Sequence, residues 1–306
     1  MAKKEIIEIQ SITDMHRLLG LKAPEHPLIS VIYSDEFPVE HCMQPGSYRN
    51  DQYMISLKNI SAGQFNYGRG SYDFQNGTLI CTGPGQIMSV DEEQLNQDRG
   101  DQGWTLMFHP DLLRKSSIAN EMSKYSFFDY EVNEALHLSE KEKAMLLEFV
   151  NNIQKEIGQN MDRHSQDLIL INLESILKYT DRYYDRQFYT RSDESKGHLQ
   201  RFERFLKDYF DSSELSEKGL PSIDRCGQAL NMSGHYLSDL LKAETGKSAR
   251  EHIHLQLVER AKNLLLGSSA SVSEIAYDLG FDYPQHFSKL FKTKTGLSPS
   301  EYRNLN

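Results

Sequence analysis

Two stretches near the C-terminal end place polar and basic side chains at intervals of one helical turn. In residues 283–296 these are Pro284, Gln285, His286, Ser288, Lys289 and Lys292. In residues 233–246 they are His235, Tyr236, Ser238, Asp239 and Lys242. The intervening positions carry Phe287, Leu290 and Phe291 in one stretch and Leu237, Leu240 and Leu241 in the other. Each stretch therefore reads as an amphipathic helix with a buried stripe and a polar face. The chemistry open to such faces is hydrogen bonding and charge neutralisation. Gln suits adenine, Lys suits guanine, Asp can accept from cytosine N4, and cations later in a helix suit phosphate. The alternative for each residue is an exposed polar position with no partner.

Other chemistry-bearing residues are poorly placed. His252 and His254 are two apart on a helix and face different ways, which is poor metal geometry. His41-Cys42 and His109 are isolated. No Ser/His/Asp or Cys/His signature stands in a known local context. Gly83-Pro84-Gly85 lacks the following Lys-Ser/Thr of a phosphate loop and reads as a turn between strands. No catalytic residue, metal ligand or cofactor is assigned, and an enzyme is not expected.

The two polar helices sit in an internal duplication. SDLLKAETGKSAREH (238–252) and SKLFKTKTGLSPSEY (288–302) align at an offset of 50, with Ser238/Ser288, Leu240/Leu290, Lys242/Lys292, Thr245/Thr295, Gly246/Gly296, Ser248/Ser298 and Glu251/Glu301 identical. Two copies are too few for a solenoid, so this is one supersecondary unit repeated. Each copy reads as helix-turn-helix. In the second, Ile275, Ala276 and Leu279 form a short apolar face, Gly280 takes positive φ, Phe281 plugs the turn and Pro284 opens the next helix. In the first, Leu230, Asn231 and Met232 take the places of Leu279, Gly280 and Phe281, Asn tolerating the left-handed conformation second best after Gly. Ser233 caps the following helix, and Gly246 and Gly296 stop the two polar helices. Between the copies, 248–267 forms a helix from the Ser248 cap to Gly267, with Ile253, Leu257, Ala261, Leu264 and Leu265 on its apolar face. About 18 residues of helix span about 27 Å.

Upstream, LISVIYS (28–34), YMISLKN (53–59), TLICTG (78–83), QIMSV (86–90) and GWTLMFH (103–109) read as strands. Pro45-Gly46, Gly63, Gly68, Gly70, Asn76-Gly77 and Gly83-Pro84-Gly85 punctuate them, and Asn76-Gly77 signals a hairpin. A pocket lined from strands 53–59, 78–90 and 103–109 is expected. Residues 139–186 switch to helical periodicity. Ser139 and Glu142 form a capping box. Met145, Leu146, Phe149, Val150, Ile153 and Ile157 then make one stripe that ends at Gly158. A second helix with Leu168, Ile169, Ile171, Leu173, Ile176 and Leu177 is apolar over more than half its circumference and must be covered on two sides. The second cover is either the β domain or another copy of the chain. Residues 187–198 (QFYTRSDESKGH) read as a linker.

The chain's 306 residues fit two domains. The net charge of −10 is unevenly spread, since residues 219–306 hold 10 Lys and Arg against 9 Asp and Glu. The acidity lies upstream, so whole-chain charge does not exclude a polyanionic partner. Three scattered cysteines (Cys42, Cys81, Cys226), no signal-like start and no long apolar run point to a reducing, cytoplasmic setting and no membrane.

The stretch from about 198 to 306 resembles the DNA-binding domain of AraC/XylS-type bacterial transcription regulators. The markers are S-x-x-Y-L-S-D-L-L-K-x-E-T-G in the first copy and I-A-x-x-L-G-F-x-x-x-x-H-F-S-K-L-F-K-x-x-x-G-x-S-P-S-x-Y-R in the second. The likeness of the N-terminal part, through GTLICTGPGQI (77–87) and the strand-rich layout, is to the cupin-type sensor half of such regulators. A metal-binding cupin would need an H-x-H pair with a nearby Glu, and the chain has none. The resemblance implies His235, Ser238 and Asp239, then Gln285, His286 and Lys289, as base readers. Asp239 departs from the family, where Arg is frequent.

The expected architecture is α+β. A cupin-like β-barrel or sandwich sensor (1–138) is followed by a helical pair for homodimerisation (139–186), a linker (187–198) and an all-α domain of two helix-turn-helix units joined by a connecting helix (199–306). The expected function is transcription regulation through double-stranded DNA, controlled by a small organic effector, with a contact to RNA polymerase in an activator. The alternatives are a cupin-type enzyme or small-molecule binding protein, and a constitutive DNA-binding regulator whose N-terminal domain only dimerises.

Overall fold

A computed structural model describes residues 6–36, 44, 46–58, 65–67, 70–72, 77–90, 103–114, 116–131, 134–190 and 192–304. The chain divides into two compact units, residues 1–187 and 188–306.

In the first unit β1 (Ile6–Ile9) leads into α1 (Ile12–Leu18), whose first turn is capped by the Ser11 hydroxyl. The strands β2 (Ile29–Tyr33), β3 (Gly46–Asn50), β4 (Tyr53–Lys58), β5 (Phe65–Tyr67), β6 (Gly70–Tyr72), β7 (Thr78–Thr82), β8 (Gln86–Val90) and β9 (Trp104–Phe108) follow. After α2 (Ser117–Glu121) comes β10 (Leu136–His137). A five-stranded sheet has the order β10-β7-β4-β9-β2, antiparallel throughout, and a three-stranded sheet has the order β1-β3-β8. β1 runs parallel to β3. Ile9, Ile12, Met15, Ile32, Tyr48 and Met107 form one buried cluster that joins the two sheets and α1. The five strands read from sequence are all present, while β1, α1, β3, β5, β6, α2 and β10 are additions. Gly70, read as a turn residue, begins β6; Pro45, Gly63, Gly68 and Asn76 lie outside the described residues, as do His41 and Cys42. Gly77 has φ 92°.

The helical pair is α3 (Glu140–Ile157) and α4 (Ser165–Thr190). The Ser139 N–H donates to the Glu142 carboxylate at 2.8 Å, so the capping box forms as expected. Phe149 and Tyr179 bring the two helices together at 5.6 Å between ring centroids. Leu173 and Ile176 are fully buried within the chain, whereas Leu168 and Ile171 are exposed. The stretch 187–198 is helical on both sides of position 191, and the boundary between the units falls at its first residue. Ser192, Asp193 and Glu194 favour a first helical turn, which accounts for helix where polar composition suggested a linker.

The second unit holds α5 (Ser192–Asp211), α6 (Glu214–Lys218), α7 (Ile223–Leu230), α8 (Gly234–Thr245), α9 (Ala249–Gly267), α10 (Val272–Asp278), α11 (Pro284–Thr295) and α12 (Pro299–Arg303). The connecting helix α9 buries Ile253, Leu257, Val258, Ala261 and Leu265 and touches α5, α8, α11 and α12. It is thus the spine on which both helix-turn-helix units are mounted. Among the described residues no helix is long and apolar enough to cross a membrane.

Candidate nucleic-acid interface

The two helix-turn-helix units are built the same way. In the first, Asn231 ends α7 at φ 59°, ψ 44°, and the Met232 N–H donates back to the Gly227 carbonyl at 3.0 Å. In the second, Gly280 takes φ 79° and the Phe281 N–H donates to the Ala276 carbonyl at 3.0 Å. Both are the left-handed helix end that closes the last turn with a six-residue hydrogen-bonded loop. The turn then aims the next helix. Ser233 caps α8 by accepting from the Tyr236 N–H, and Pro284 occupies the first turn of α11. The first unit is packed tightly at its corner. A Cβ on Gly227 would stand 2.5 Å from the Met232 carbonyl oxygen, and one on Gly234 would stand 2.5 Å from Asp224 Oδ1. In the second unit a chain of rings, Phe281–Phe287–Phe291–Tyr302, ties the turn after α10 to α11 and α12 with centroids 5.5–5.7 Å apart.

These cores fix which side chains face outward. On α11, Gln285, His286, Lys289 and Lys292 are exposed and Ser288 is half-buried. On α8, His235 and Lys242 are exposed, while Ser238 and Asp239 are half-buried. Tyr236 is a correction. It was grouped with the polar face but is 7 % exposed, and its ring packs at 5.1 Å from that of Phe188. Residues 236 and 240 are one turn apart, so Tyr236 continues the stripe of Leu240 rather than the face of His235 and Lys242. Leu290 and Leu264, expected in the core, are half-buried. His252 and His254 point to different neighbours, as their spacing required. His252 Nε2 lies 2.8 Å from Thr245 Oγ1 and its ring meets Phe202 edge-on. His254 lines a cleft beside α8.

The faces differ in charge. Residues 283–296 carry Lys289, Lys292 and Lys294 and no acid, whereas 233–246 carry Asp239 and Glu244 against Lys242. Of the described cysteines, Cys81 and Cys226 are buried free thiols, and burial pushes Cys226 up to about 12, far from a reactive thiolate.

Residues 226–305 match a family described as a helix-turn-helix domain. Among curated relatives, the transcriptional regulatory protein YesN of Bacillus subtilis (strain 168) is 43% identical over 94 residues, 30% of this chain and 26% of that protein. The xylose operon regulatory protein of Escherichia coli (strain K12) is 32% identical over 89 residues, 29% of this chain and 22% of that protein. The HTH-type transcriptional regulator YfiF of Bacillus subtilis is 30% identical over 157 residues, 51% of this chain and 45% of that protein. The chain thus spans between about a fifth and a half of the length of these relatives. The solved C-terminal domain of AraT, a response regulator from Geobacillus stearothermophilus, is 30% identical and covers 35% of this chain and 84% of that one, with a TM-score of 0.32. The C-terminal unit therefore defines the class: a domain with two helix-turn-helix units on one connecting helix. Residues 226–305 are a helix-turn-helix domain of the AraC type.

Proposed function

We propose that the chain is a sequence-specific transcription regulator that binds double-stranded DNA through α8 and α11, each entering a major groove. The carrying observation is the duplicated unit with an outward polar face on its second helix: Gln285, His286, Lys289 and Lys292 in one copy, and His235, Ser238, Asp239 and Lys242 in the other. Residues early in such a helix reach base edges, and later ones reach phosphates. The similarity to regulators over this stretch supports the same reading.

The N-terminal unit is proposed as a cupin-like sensor for a small organic effector, bound without metal. Its five-stranded and three-stranded sheets support this. The cavity that suits an effector lies elsewhere than expected: it has about 490 Å³, room for a small molecule, and is lined by His16, Lys22, Ile29, Ser30, Val31 and Ile32 and not by strands 53–59, 78–90 or 103–109. Homodimerisation is assigned to α4, where Leu168 and Ile171 are exposed. The setting proposed is the cytoplasm, with RNA polymerase as a partner in an activator. Selection from a pool of random duplexes tests the central reading. Enrichment of one sequence that outcompetes its scrambled version is expected, and a pool unchanged after several rounds would contradict it.

A further inference from the structure

Beside the first reading helix lies a cleft of about 440 Å³, bounded by the start of α7, by α8 and by the first turns of α9. His235 and Ser238, two residues placed at base edges above, form one of its walls. The connecting helix lines it with Arg250, Ile253 and His254. Positions 250 and 254 are one turn apart and so share a face of α9. Arg250 is exposed, His254 half-buried and Ile253 buried. Asp224 also lines the cleft, but its carboxylate lies against the first residue of α8, within 2.5 Å of where a Cβ on Gly234 would stand.

The charge balance gives this cleft a task. A reading helix needs cations to neutralise the phosphates flanking its groove. α11 carries its own in Lys289, Lys292 and Lys294, whereas residues 233–246 have Lys242 against Asp239 and Glu244. A cation that α8 lacks, Arg250, lines the same cleft from α9, with the titratable His254 one turn on. Lys294 at the end of α11 adds to the same positive region, since its charge acts on both Glu251 and His254.

We propose that this cleft receives a backbone phosphate bordering the half-site read by α8, held by Arg250 and His254. The proposal rests on the DNA reading above and assigns to the connecting helix a direct part in binding. Arg250 is a permanent cation, but His254 is not. Burial, then Lys294 and Arg250, hold its imidazole below the ordinary value of 6.5, with Glu251 opposing. Asp224 and His235 face it from α7 and α8. In the free protein the neutral form therefore prevails near pH 7. A phosphate in the cleft brings negative charge to the ring and favours the imidazolium. DNA binding then takes up a proton, so affinity rises as the pH falls toward and below 6.5.

The test uses the full chain and a fluorescein-labelled duplex of mixed sequence, with anisotropy followed against salt and pH. Arg250→Ala should flatten the log–log salt slope by about 0.9, the value of one phosphate contact, and Arg250→Lys should restore it. His254→Gln should remove the part of the affinity gained on acidification from about pH 7.5 to about 5.5. His235 and His286 remain in that variant, so the difference from the parent isolates His254. A parent-like slope in Arg250→Ala, or a parent-like pH response in His254→Gln, overturns the proposal. Arg250 is exposed, so its variant stays decisive if His254→Gln lowers stability. Failure of the parent chain to bind any duplex at low salt would overturn the DNA reading itself, a result distinct from a parent that binds and an Arg250→Ala variant that binds identically.

Discussion

Among the described residues, Asn231 is alone among non-glycines in having positive φ. Its amide side chain tolerates the left-handed conformation that the turn between α7 and α8 demands, and an alkyl Cβ there is strained. Asn231→Ala should lower stability by about 1 kcal/mol, and Asn231→Gly should match or exceed the parent. Urea unfolding midpoints decide this, and equal midpoints for the Ala and Gly variants would contradict it. The polar faces make a second prediction. Lys292 is exposed on the all-basic helix, so Lys292→Ala should weaken binding to every duplex and flatten the salt slope by about one unit. Asp239 sits half-buried on the acidic helix, where a carboxylate near phosphate is tolerable only if it reads a base or orients Lys242. Asp239→Ala should relax discrimination at one base pair by about 1–3 kcal/mol, while non-specific affinity holds or rises. Titration on selected and scrambled duplexes separates the cases, and equal tightening on both removes the reading role. At this scale the sequence was informative wherever one residue type answers one backbone demand, as at Asn231, Gly280, Ser233 and Pro284. It misled at Tyr236, whose hydroxyl suggests a polar face although its spacing to Leu240 places it in the core. The tight corner at Gly227 and Gly234 was signalled only by glycines in and beside short helices, a sign that a backbone approaches closely.

The helices of the C-terminal unit begin on a repeated device. Ser248, Ser271 and Ser298 cap α9, α10 and α12, each in a reciprocal box with the Glu three residues on. The backbone N–H groups of Ser248 and Ser271 hold Glu251 and Glu274 below the usual carboxylate value, and the Ser298 hydroxyl does so first for Glu301. A depressed folded-state value contributes stability above the unfolded value of 4.5 that is lost as the pH falls through the folded one. The triple variant Glu251→Gln, Glu274→Gln, Glu301→Gln should therefore show a shallower loss of urea midpoint on acidification below about pH 5. An acid limb as steep as the parent's would rule this out. For the α4 pair, Leu173 and Ile176 belong to the chain's own core, so charge there would report on folding. The exposed Ile171 is the position that tests assembly. Ile171→Glu should convert a dimer to a monomer by light scattering without loss of helix content, and a parent chain already monomeric at micromolar concentration would sink the assignment. Long periodic helices and alternating strands were legible because each repeats its own period. The short β1, α1 and β3 were not, since four to seven residues carry too little pattern. The polar stretch 187–198, read as a linker, holds the boundary between the units, and its helical conformation on both sides of position 191 was hidden by its composition although Ser192, Asp193 and Glu194 suit a helix start.

At the scale of the molecule, the division into units at 187 and 188 separates an acidic N-terminal part from a C-terminal part near neutrality. The net charge of −10 thus belongs to residues outside the helix-turn-helix units and does not by itself count against a polyanionic partner for them. The duplication was the most legible feature of all, since seven identities at a fixed offset of 50 leave one interpretation, a repeated unit. The function of the N-terminal unit was the least legible, because a β-rich core of Ile55, Leu79, Leu106 and Phe108 serves many chemistries equally. The central claim is that one chain presents two reading helices to two successive major grooves. Hydroxyl-radical footprinting of the full chain on a duplex obtained by selection tests it most directly. The account predicts, for each chain bound, two protected tracts on one face of the duplex with centres about 10 base pairs apart. Lys292→Ala should weaken protection of the tract under α11 first. A single protected tract per chain, with no second contact one helical turn away, would contradict it.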